Sequence, residues 1–96
     1  MGASEFGTKV RGKTAKEAFQ AALDQAHWDH GHSGYSGTLA EKSEYVVIPV
    51  PAGADPIAYA GQLMDEDDER IHDKWGPAGC VKVSDDEFYF FGWASS

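Results

Sequence analysis

The chain has 96 residues, 42% hydrophobic and 25% charged, which fits one globular domain with a thin core and excludes a disordered polymer. Sixteen acids against eight bases give a formal net charge of −8, which counts against DNA, RNA or an anionic membrane as a direct partner. No apolar run reaches the roughly 18 residues of a membrane span, no secretory leader is expected, and the single cysteine, Cys80, leaves no intrachain disulfide, so a reducing cytoplasm is the expected compartment.

Residues 1–8 read as a vector-derived tail, because Glu5-Phe6 and Gly7-Thr8 are what two common restriction sites encode in frame. Setting them aside removes one acid and no base, so the acidic character belongs to residues 9–96, the expected single domain. Thr14-Ala15-Lys16-Glu17 has the spacing of a capping box: Thr14 accepts from the Glu17 N–H and the Glu17 carboxylate reaches back to the Thr14 N–H. Ala15, Ala18, Phe19, Ala22, Leu23 and Ala26 then repeat with helical period, predicting a helix from Ala15 to His30 that stops at Gly31. Gly31, Gly34 and Gly37 mark a loop. Two strands follow, Ser36–Glu41 and Tyr45–Val50, joined by a turn at Lys42-Ser43-Glu44, with Pro49 placing the end of the second at an edge.

Asp55-Pro56 opens a second helix with Ile57, Tyr59, Ala60, Leu63 and Met64 on its apolar side. The acidic run Asp65–Glu69 opposes the dipole of a helix C-terminus, which predicts a break near Asp65–Asp67 and a short third helix from Asp68 to Lys74. Cys80–Val83 and Glu87–Trp93 read as a hairpin turning at Ser84-Asp85-Asp86. The expected fold is α+β in the order αββαββ, a four-stranded antiparallel sheet with helices packed on one face.

Two clusters and one cysteine are the candidates for chemistry. His27, His30 and His32, with Ser33, Tyr35 and Ser36 in the glycine loop, form an alternative ligand or metal site, Zn²⁺ being the ion suited to imidazoles. The plainer account is a helix C-terminus that favours imidazole, since His27 falls on the wet face and His30 on the core face. The loop also leaves a helix instead of entering one, unlike most phosphate cradles. Asp65, Glu66, Asp67, Asp68, Glu69 and Asp73 form an acidic surface, with Arg70 and Lys74 as nearby counter-charges. Such a surface either serves solubility or docks on a basic protein by imitating nucleic-acid phosphates. Cys80 reads as a small buried side chain.

The last strand is aromatic on both sides, with Phe88 and Phe90 on one and Tyr89, Phe91 and Trp93 on the other. Helices on one side of the sheet cover one set only, so Tyr89, Phe91 and Trp93 are the expected interface of a homodimer. No serine-nucleophile elbow, Walker loop or dinucleotide fingerprint is present, so catalysis is the less favoured class. The expectation is a small acidic protein-interaction module without cofactor, comparable in composition to phage or mobile-element inhibitors, that docks on a basic, nucleic-acid-binding protein. The alternative is an enzyme-like small-ligand or metal-binding domain with its site at residues 27–38.

Overall fold

The computed structural model describes residues 3–30, 42, 44–73 and 76–95. In chain order these form β1 (Ala3–Arg11), α1 (Ala15–His30), β2 (Tyr45–Val47), α2 (Pro56–Asp65), β3 (Ala78–Ser84) and β4 (Glu87–Ser95). The expected order αββαββ is therefore corrected to βαβαββ. The expected strand at 36–41 lies outside the described residues, and β1 is a strand built largely from the segment read as vector-derived. The class stands: a small compact α+β domain with a four-stranded sheet and two helices.

The local signals work as chemistry predicts. The Glu17 N–H donates to Thr14 Oγ1 at 3.2 Å, while the Glu17 carboxylate accepts from the Lys13 N–H at 3.2 Å instead of from Thr14. The box thus closes one residue further back, still satisfying two orphan donors at the start of α1. Thr14→Ala is expected to cost ~1 kcal/mol. An unchanged urea midpoint would show that this bond contributes nothing. Asp55 precedes α2 in extended conformation, and its carbonyl, not its carboxylate, receives the Tyr59 N–H at 2.9 Å.

The end of α2 is a Schellman motif. The Asp68 N–H donates to the Leu63 carbonyl and the Asp67 N–H to the Met64 carbonyl, both at 3.1 Å, with Asp67 at φ 55°. Aspartate is one of the few residues that takes the left-handed region without glycine's freedom. The break expected at Asp65–Asp67 thus has a backbone cause as well as an electrostatic one. The third helix expected at Asp68–Lys74 is corrected to a series of turns over the described residues 68–73. The Asp68 carboxylate captures the Arg70 N–H at 2.9 Å, which competes with helical pairing at that step.

The sheet order is β1-β4-β3-β2, and the sheet is mixed, which corrects the expected antiparallel sheet. β4 pairs antiparallel with β1 and with β3, but β2 runs parallel to β3 with Tyr45 opposite Ala78 and Val47 opposite Cys80. The reason is the connection. From β2 the chain crosses through α2 before reaching β3, and such a crossover brings the next strand back in the same direction. The ladder continues one bond past β2, with the Ile48 N–H donating to the Cys80 carbonyl at 2.8 Å, and Pro49 has no N–H to extend it.

The helices lie on opposite faces, correcting the expected placement on one. Ala18, Phe19 and Ala22 of α1 pack with Ala78, Cys80, Phe88 and Phe90, whereas Ala60 and Leu63 of α2 pack with Ile48, Ile71, Val81 and Phe91. Within the chain, Phe88 and Phe90 are buried on the side of α1 and Phe91 on the side of α2, with Tyr89 partly buried beside Phe91. Phe91 is 1% exposed beneath α2, so the uncovered face that motivated a homodimer is absent at that residue. A homodimer through Tyr89, Phe91 and Trp93 stands as a proposal for light scattering, where a mass near 10.4 kDa would sink it.

Candidate functional site

The acidic surface is built on the end of α2. Asp65 is the last helical residue, and Glu66, Asp67 and Glu69 follow on the turn, all four exposed. Two devices fix the turn. Ile71 is 1% exposed and packs in the core under α2, anchoring the chain from below. Arg70 grips Asp68 with two bonds of 2.9 Å, Nε to Oδ1 and a terminal guanidinium nitrogen to Oδ2. Planar guanidinium against carboxylate is the strongest geometry such a pair adopts.

Arg70 also decides the charge of the turn. Its side-chain bonds, and its backbone N–H behind them, hold the Asp68 carboxyl down at about 2. Asp68 is consequently already paired, while Asp65, Glu66, Asp67 and Glu69 present their charge outward. Asp73 is exposed and lies near Lys42. A carboxyl depressed on folding stabilises the fold above its unfolded value near 3.9, and that contribution disappears as pH falls from about 4 to about 2. The pair is partly solvated, so the amount is expected to be under about 1 kcal/mol. Acid titration of stability should show this step, and Asp68→Asn should remove it. An identical acid limb in the variant would refute the assignment.

Lys42 was not legible as anything but a turn residue. It is 4% exposed, and its Nζ donates to the Gly76 carbonyl at 2.9 Å and to the Asp73 carbonyl at 3.4 Å. Burial lowers its pKa, and the nearby Asp73 charge opposes that shift. The ammonium ties the end of the acidic segment to the turn before β3. Its partners lie over 30 residues away, so no local signal marks it.

His27 and His30 stand in α1, but their side chains, together with His32, Ser33, Tyr35 and Ser36, lie outside the described residues. Among the described residues no group of three or more His, Cys, Asp or Glu is placed to hold a metal ion. His72 is exposed on the acidic segment. Cys80 is fully buried as expected, and burial pushes its thiol up to about 12, which leaves no thiolate for chemistry at neutral pH. No described helix is long and apolar enough to cross a membrane.

A groove of about 400 Å³ runs between α2 and β1. Ile57, Gly61 and Met64 form one wall, Tyr89 and Phe91 its floor, and Glu5 and Asp65 add carboxylates. Ile57, expected on the buried stripe of α2, is instead exposed along this groove, because α2 packs chiefly over β3 and β4. Trp93 lies opposite Glu5, and its indole Nε1 is buried with no hydrogen-bond partner among the described residues. The chain matches no family model, no curated protein and no solved structure, so its functional reading rests on this geometry alone.

Proposed function

We propose that this protein is a small acidic interaction module that docks on a basic, nucleic-acid-binding protein through Asp65, Glu66, Asp67, Glu69 and Asp73. The observation that carries the reading is the fixed acidic turn after α2: four consecutive-to-near carboxylates are held outward by a Schellman motif, the buried Ile71 and the Arg70–Asp68 clamp. A solubilising surface has no need of such anchoring. Carboxylates held on a rigid frame steer a cationic partner and limit the entropy lost on docking.

Asp68 plays a different part from the one its place in the run implies. Paired with Arg70, it shapes the turn while its neighbours supply the field. In this reading the protein blocks a nucleic-acid site on its partner, works in the cytoplasm, and needs no cofactor. Binding assays against a panel of basic nucleic-acid-binding proteins test it. At least one should bind with an affinity that falls steeply between low and physiological salt. Salt-insensitive behaviour across the panel, or direct binding to DNA or RNA, would overturn the reading.

A further inference from the structure

α2 carries a glycine in its interior, Gly61, the sixth of its ten residues. Glycine weakens a helix there relative to alanine, and its uses are a backbone conformation that other residues avoid or the close approach of another group. Within this chain neither use applies. Gly61 is helical, and a Cβ placed on it would meet no described atom within 4 Å. The open space belongs to the groove of about 400 Å³ between α2 and β1. Ile57 and Met64 stand about one turn to either side of Gly61 and line the same groove.

The groove has an aromatic floor and an acidic rim. Tyr89 lies half-buried in it, its ring nearly parallel to that of Phe91 at 5.9 Å. Asp65 from α2 and Glu5 from β1 are both exposed, and neither is paired with a cation among the described residues. A bare stretch of helix, a ring and two carboxylates suit a long cation with an apolar stem. Arginine matches best. Its methylenes cover apolar surface, and its planar guanidinium both forks onto carboxylates and lies on aromatic faces. Gly61, Met64, Asp65 and Tyr89 carry this argument from α2 and β4, and β1 adds the far wall.

We propose that the groove between α2 and β1 is a binding site for an arginine side chain of the basic partner. The stem lies on Gly61 between Ile57 and Met64, and the guanidinium meets Asp65 and Glu5 beside Tyr89. That the arginine belongs to a basic protein rests on the function proposed above. Asp65 opens the acidic run, so a partner steered by the turn finds this seat directly beside it.

The probe is N-acetyl-arginine amide, titrated at low salt into the full chain and followed by amide shifts. Saturable shifts at Ile57, Gly61, Asp65 and Tyr89 are expected, with half-saturation in the millimolar range, as suits one ion pair and one ring contact. The citrulline analogue has the same shape without the charge and should bind roughly tenfold more weakly or worse. Gly61→Leu fills the open space. It should raise the thermal midpoint, since leucine favours a helix and clashes with nothing, and weaken the probe roughly tenfold or more. Asp65→Asn, which keeps the shape, should weaken it several-fold. Absence of saturation at tens of millimolar, shifts confined to Glu66–Glu69, equal binding of the citrulline analogue, or undiminished binding by Gly61→Leu would each overturn the proposal. A Gly61→Leu chain that fails to fold would also overturn it, because the space beside Gly61 would then not be open. None of these readouts involves a basic protein, so a silent groove beside a salt-dependent binder from the panel removes this site and leaves the acidic-turn reading standing.

Discussion

Replacing Phe90 by alanine is expected to remove about 3–5 kcal/mol of stability, near the upper range for a single core truncation. Phe90 is fully buried on β4, its ring tilted against Phe19 at 5.4 Å and edge-on to Tyr45 at 5.9 Å. It therefore joins α1, β2 and β4 in one contact. Its other neighbours in that cluster include Ala18, Ala22, Ala78 and Cys80, short side chains with nothing to extend into the space left behind. The cavity would stay open, which is the case in which truncation costs most. A domain of this size holds roughly 5–14 kcal/mol in total, so the variant should lose at least about a fifth of its stability. Urea unfolding followed by circular dichroism measures this. A loss below about 1.5 kcal/mol would place Phe90 outside the core that organises α1.

The second large effect is kinetic. Glu66→Lys with Glu69→Lys reverses two exposed charges on the turn and leaves the Arg70–Asp68 clamp and the left-handed Asp67 in place. If the acidic turn docks on a basic protein as proposed, the on-rate at low salt should fall roughly 10- to 100-fold, with the difference shrinking as salt is added. Stability should move by only about 0.5 kcal/mol, as Glu66 gives up a single exposed bond to Gln62 and gains a favourable position at a helix C-terminus. Reversing Asp68 as well would confuse the result, because its carboxylate holds the turn together. An on-rate indifferent to both reversal and salt would remove the steering role of the turn.

The candidate site was legible in part. The acidic run is visible as composition, and its break from α2 follows from charge against the helix dipole. That Asp68 is neutralised by Arg70 while its neighbours are not depends on a turn replacing the expected helix. Lys42 and the groove beside β1 depend on partners distant in the chain, and no spacing rule reaches them.

The sequence by itself determined the elements whose causes are local. Thr14 and Glu17 set the start of α1, Asp55-Pro56 the start of α2, the acidic run its end, and Ser84-Asp85-Asp86 the turn between β3 and β4. Each is an interaction within a few residues, so a short window contains it. The sequence also showed that both faces of β4 had to be covered. Only the tertiary structure decided what covers them. α2 lies across Phe91 and Val81 because the crossover from β2 to β3 passes over that face, and the same crossover makes the β2–β3 pairing parallel. A strand's alternation records that it is buried on both sides but carries no label for its neighbour, its direction or the element above it. Those are fixed by which long-range contacts close together, and that competition is settled only in the assembled chain.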